Sequence, residues 1–184
     1  MKLIATCTIS LADGIARYGT PDTTPHSIPF GALPELKQIL CESPAIVQGD
    51  LTDFRRAADN VRLAQLAVIL CASAISDWNP DGTALVGLNG DGCAHNNRRF
   101  WDDFAAHGFE NGRASLFVPT LPSIPVCEAA IALSIRGPVR YVMTETREQA
   151  DELLADMFAS DSSIRQIMTA EITAFNAIVN LFQP

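Results

Sequence analysis

The spacing of apolar and polar positions changes several times along the chain, and each change predicts an element. Residues 2–10 (KLIATCTIS) alternate loosely and are rich in Ile, Thr and Cys, which predicts a strand. Residues 19–34 carry Pro21, Pro25, Pro29 and Pro34 and read as a loop over the surface or toward a partner. Thr52 and Asp53 read as a helix start, with Thr52 as N-cap and Asp53 favourable at the positive end of the dipole. Phe54, Ala57, Ala58, Val61, Ala64, Val68 and Cys71 then recur at helical spacing. Over 66–75 this helix is apolar nearly all round, which predicts burial on most sides.

Residues 79–82 (NPDG) predict a turn, and 83–89 (TALVGLN) a short buried strand. A second helix follows over about 93–107, with Phe100 and Phe104 on one stripe and Gly108 placed to end it. Arg98 with Asp102, and Arg99 with Asp103, are spaced as i,i+4 pairs. The stretch 109–121 reads as irregular, 123–135 as a third, apolar helix, and Gly137 and Pro138 as its break. Residues 139–144 (VRYVMT) predict a strand. Thr146 opens a helix to about Ser160, with Thr146 and Gln149 spaced as a capping box. Two strands close the order, 164–172 and 175–182, and their short connection predicts that they run antiparallel.

The order β-α-β-α-α-β-α-β-β predicts an α/β fold: a mostly parallel, five-stranded mixed sheet flanked by helices. No repeat, low-complexity tract or linker divides residues 1–184, so one domain is expected. Composition adds exclusions. With 13 basic against 21 acidic residues the net charge is −8, which argues against nucleic acid and against an anionic membrane surface. Cys7, Cys41, Cys71, Cys93 and Cys127 are scattered and form no C-x-x-C pair, so reduced thiols in the cytoplasm are expected. Cys93 and His95 alone do not make a metal site, and no metal or cofactor is expected. The apolar start is short and soon followed by Asp13 and Arg17, so it reads as a strand and not a signal peptide. No window approaches a membrane span. Residues 87–92 (GLNGDG) look like a phosphate loop but lack its Lys-Ser/Thr, so they read as a strand-to-helix turn.

One run is more specific: Asn97, Arg98, Arg99, Phe100, Trp101, then Gly108, then 116–122 (LFVPTLP), then Ile131, then 135–138 (IRGP). It resembles the N-terminal half of β-ketoacyl synthases of the thiolase-like superfamily. Residues 83–146 carry the likeness most clearly, and the whole order matches the family's βαβαβαββ half. The subtype it most resembles is the short, single-half ketoacyl-synthase-like protein found beside aryl-polyene or fatty-acid biosynthetic enzymes. The resemblance implies a single thiolase-like half-domain that closes after the strand pair, without the family's histidine-bearing half.

The departures bear on chemistry. In the family a T-A-C motif follows the strand, with its cysteine opening the next helix. Here 142–146 read Val-Met-Thr-Glu-Thr, so Thr144 matches the family Thr and Thr146 stands at the nucleophile position, with Glu145 between. A thiol there is activated by the dipole and backbone N–H groups, whereas a threonine hydroxyl needs a dedicated base. His26, His95 and His107 match no family catalytic position. Cys93 and Cys127 read first as buried structural thiols. Arg98, Arg99 and Arg113 read as a solvated, paired face or as a surface for an acidic carrier protein.

The resemblance therefore implies a non-condensing ketosynthase-like subunit, inactive alone, in fatty-acid, polyketide or aryl-polyene-type assembly. A lone half must cover an apolar face, so a homodimer or a heteromer with a full ketosynthase is expected, through strand 139–144, with acyl carrier protein as a further partner. Two other readings stay open: an acyl-thioester transferase or hydrolase using Thr146 or a Cys, and an acyl- or CoA-binding module.

Overall fold

The structure is a computed structural model that describes residues 1–88, 91, 93–108 and 112–184. Asn89, Gly90 and Gly92 of the glycine-rich turn, and part of the irregular stretch after Gly108, lie outside the described residues.

β1 (Lys2–Ser10) buries Ala5, Cys7 and Ile9 on one side, as its alternation predicts. Gly14 turns the chain at φ +61, where a Cβ would lie 2.6 Å from the Phe30 carbonyl, and β2 (Ile15–Gly19) returns antiparallel to β1. β3 (His26–Pro29) pairs with β2 and forms one edge of the sheet, the place where a proline is tolerated. So the proline-rich stretch is not all loop. It holds an edge strand, and Pro34 sits in the first turn of α1 (Leu33–Glu42), whose fixed φ suits a helix start.

α2 (Asp59–Ser73) begins later than its apolar spacing suggests. Thr52 does not cap it; its N–H and hydroxyl both donate to Asp50 Oδ1, at 3.0 and 2.6 Å. Residues 51–57 fold as tight turns, and the Arg62 guanidinium binds the carbonyls of Phe54 (2.9 Å) and Arg55 (2.7 Å). That guanidinium holds the segment in its turns, apart from the helix that follows. From Leu63 to Ala72 every residue of α2 is buried.

A 3-10 turn, Pro80–Gly82, leads into β4 (Thr83–Leu88), buried at all positions. α3 (Ala94–His107) ends at Gly108, whose N–H bonds the Phe104 carbonyl, as expected. α4 (Ala114–Phe117), the 3-10 turn Val118–Thr120 and α5 (Ile124–Ala132) follow. β5 (Val139–Val142) then leads to α6 (Arg147–Ser160), and the antiparallel pair β6 (Gln166–Ile172) and β7 (Asn176–Gln183) closes the order.

The sheet has seven strands in the order β3-β2-β1-β7-β6-β4-β5. The α/β class holds, and all five expected strands are present. The expected count and the mostly parallel character do not hold. Among the described residues only β4 pairs in parallel, with β5 and β6, and every other pairing is antiparallel. The cause is the β1–β2–β3 meander, which joins the sheet by laying β1 antiparallel on β7.

Two apolar cores lie on opposite faces. Leu85 of β4 points into the larger one with α2 and α5, while Ala84, Val86 and Leu88 point into a smaller one beneath α6. Among the described residues no single helix is long and apolar enough to cross a membrane.

Candidate functional site

The parallel strands β4 and β5 deliver the chain to the start of α6, and Thr144, Glu145 and Thr146 sit on that connection. Thr146 has extended backbone angles and caps the helix: its Oγ1 accepts from the Gln149 N–H at 3.3 Å. The return bond of the box is displaced by one residue, since Gln149 Oε1 accepts from the Glu145 N–H at 2.8 Å. Glu148, in the first turn, has its carboxyl held below the usual range by its own backbone N–H and then by the Thr146 hydroxyl. The Thr146 hydroxyl is thus engaged with helix-end groups, and the residue is exposed. Beneath the first turns of α6, Leu88, Ala150, Leu154, Thr169 and Asn180 enclose only about 10 Å³. That is room for about one water, not for an acyl chain.

The cysteines divide. Cys7 and Cys71 are buried in the larger core, and burial pushes both thiols well up, Cys7 further through the neighbouring Cys71. Cys93 stands before α3 in a left-handed conformation (φ 62). Its N–H donates to Asp91 Oδ1 at 3.0 Å, and its sulfur accepts from Asn60 Nδ2 at 3.4 Å. Burial and the Asp91 carboxylate raise the Cys93 thiol, against the lowering bond from Asn60. This is the reverse of the environment that makes a thiolate nucleophile. Cys127, read as buried because its helix is apolar, is exposed, since α5 turns that side outward.

The histidines do not converge. His26 stacks on Tyr18 in the edge hairpin, with ring centroids 5.2 Å apart. His95 faces Phe175 at 6.0 Å, and His107 lies beside Asp103 at 3.3 Å. Asp103 also takes Arg113 at 3.0 Å, so its ion pair is not the expected one with Arg99. Among the described residues no group of His, Cys, Asp and Glu could hold a metal ion.

β5 has a neighbour on one side only, so its second edge is open among the described residues. Val139, Met143 (77% exposed) and Ile131 of α5 (62% exposed) stand along it. Cys127, Ala130, Ile131, Ile135, Arg136 and Val139 line a groove of about 440 Å³ there. The apolar α2 is covered within the chain by the sheet, α1 and α5, as its all-round apolar character predicts.

Another cleft was invisible in the sequence. Arg56 from the turns before α2, Arg62 from the first turn of α2 and Arg99 from α3 converge on it. Of these, only Arg99 is singled out in the sequence.

No protein-family model matches the chain. No curated protein matches it in sequence. Solved structures do match. A ketosynthase (ApeO) in complex with its chain length factor (ApeC) from Xenorhabdus doucetiae is similar over the whole of this chain and 79% of the matched chain, with a TM-score of 0.60 and 14% identity. The ishigamide ketosynthase/chain length factor is similar over 98% of this chain and 61% of the matched one, with a TM-score of 0.57 and 10% identity. The fold of this chain is similar to that of these ketosynthase structures.

Proposed function

We propose that the chain is a non-condensing, ketosynthase-like subunit that joins a full ketosynthase in fatty-acid, polyketide or aryl-polyene-type acyl-chain assembly in the cytoplasm. The observation that carries the reading is Thr146. At the position that resembles the family nucleophile stands a helix-capping hydroxyl, with about 10 Å³ of space behind the helix start. Among the described residues the hydroxyl serves the helix end, with the Gln149 N–H and the exposed Glu148 carboxylate as its partners, and no histidine stands beside it as it would in an acyl-transfer site. The similar solved structures are complexes of a ketosynthase with a chain length factor, which favours a heteromer over a homodimer. The open edge of β5 and the groove beside Ile131 supply the apolar face that such a partner would cover.

Co-expression with a full ketosynthase tests this. Light scattering should give a one-to-one heteromer, and Ile131→Asp should dissolve it while leaving the chain folded. Intact mass after incubation with acyl carrier protein or acyl-CoA thioesters should show no adduct on the chain. A monodisperse monomer that captures no ketosynthase overturns the proposal. So does an acyl adduct that disappears in Thr146→Ala.

A further inference from the structure

We propose that the cleft before α2 binds a phosphate monoester with a short aliphatic body, at a site separate from Thr146 and from the β5 edge. Two adjoining hollows share Arg56, Ala57, Ala58, Ser115 and Pro119 as walls. The first, about 310 Å³, is polar and takes Arg62, Arg99 and Asn96. The second, about 270 Å³, is floored by Val61, Val118 and Ile124. Together they reach the size of small-molecule sites.

Three independent features of the polar hollow ask for an anion. The N-terminus of the 15-residue α2 opens on it through Ala58 and Asp59, and Ala58 at the cap position has no side chain to bond that end. The Val61 N–H is taken by Asn60 Oδ1, which leaves the N–H groups of Asp59 and Asn60 and the positive dipole end to favour a bound anion. Asn96 is only 9% exposed and lines the hollow, and among the described residues its side chain has no hydrogen-bond partner. Its amide atoms are therefore turned to the space of the hollow, where a ligand can bond them. Among the described residues Arg56 and Arg99 form no ion pair, in a chain whose net charge is −8.

The local charges agree. Asp59, the carboxylate of the polar hollow, is paired with Arg62 at 3.0 Å. That leaves Arg56 and Arg99 for the ligand, a match to a dianionic phosphate that can take forked bonds from each guanidinium. Asp53 and Glu128 stand at the apolar hollow, away from Arg99 and Asn96, which keeps the anionic end in the first hollow.

The test is an amide chemical-shift titration of the intact chain with inorganic phosphate and with butyl phosphate. Saturable shifts confined to the amides near Arg56, Ala58, Asp59, Asn96 and Ser115 are expected, with butyl phosphate binding at about 1 mM or tighter and about tenfold tighter than phosphate. Arg56→Gln and Arg99→Gln, both at exposed positions, should each weaken binding about tenfold at unchanged melting temperature. Asn96→Asp, which sets a carboxylate against the ligand, should abolish it. Equal affinity for the two probes overturns the proposal. So do unsaturable shifts spread over all arginines, or unchanged binding in both arginine variants. An acidic protein that shifts these amides while butyl phosphate does not would assign the cleft to protein docking and also overturn it.

Discussion

α2 and α6 cover opposite faces of one sheet and are nearly equal in length, 15 and 14 residues, yet different forces hold them. α2 has no side-chain cap and buries ten consecutive residues, 63–72. α6 has a capped start and buries only Ala150, Leu154 and Met157. A helix enclosed on all sides does not depend on its ends, because burial outweighs the roughly 1 kcal/mol of a cap several times over. A helix that rests on one narrow stripe depends on its ends much more. The same contrast separates their surroundings: α2 is closed off by its own chain, whereas α6 follows a strand whose outer edge is open.

The largest effect that would break this contrast lies in the middle of α2. Leu66 is fully buried, so Leu66→Ala should cost about 2–5 kcal/mol in urea denaturation, while Ile131→Ala on the outward side of α5 should stay within about 0.5 kcal/mol. Equal losses would mean that the α5 face is packed in the free chain and needs no partner. A smaller effect tests how closely α2 is enclosed. A Cβ at Gly49 would meet Ile69 Cδ1 at 2.5 Å and the Ala132 carbonyl at 3.1 Å. The isoleucine tip can yield, but the backbone of α5 cannot, so Gly49→Ala should cost about 1–3 kcal/mol. A neutral result would show that this loop is not wedged between α2 and α5.

At α6 the expected losses shrink to those of single polar bonds. Thr146→Ala should cost about 1 kcal/mol and speed amide exchange in the first turn of α6, leaving β6 and β7 protected. Exchange that speeds throughout the molecule would show that α6 is as central as α2.

The two helices also show what a sequence discloses. The start of α6 was legible, because a capping box is made of neighbours: Thr146 and Gln149 lie within one turn. The interior of α2 was legible because an unbroken apolar run has only one place to go. Its start was not, since Arg62 reaches back to the carbonyls of Phe54 and Arg55 and stops the helix from extending to Thr52. The prolines hid β3 and α1, because a proline at a sheet edge or in a first helical turn reads locally like one in a loop. The site divides in the same way. Thr146 stands at the helix start where local reading put it, whereas Thr144, read as the end of the strand, lies two residues past its end at Val142. The cleft of Arg56, Asn96 and Arg99 was hidden, since it joins residues some forty positions apart through folds that no local spacing encodes.

The finest test of the contrast is a proton at the start of α6. Glu148 is exposed, and its carboxylate is held below its ordinary range by its own backbone N–H and by the Thr146 hydroxyl. A group whose folded value is lowered contributes stability above its unfolded value, near 4.3 for Glu, and loses it as pH falls through the lowered folded value. Acid should therefore loosen α6 before it touches α2, whose buried run from Leu63 to Ala72 has no acidic residue. Carboxyl carbon shifts followed by NMR should place the Glu148 midpoint below the ordinary glutamate value near 4.3. Thr146→Ala should raise the midpoint only part of the way, because the backbone N–H, the stronger cause, remains. Glu148→Gln should flatten the acid limb of α6 exchange without changing the neutral-pH stability of β4, β6 and β7. If Glu148 titrates at the ordinary glutamate value in the native chain, the polar bonds at this end do not hold the helix. The stripe of Ala150, Leu154 and Met157 would then have to do so alone, and α6 would differ from α2 only in the extent of its burial.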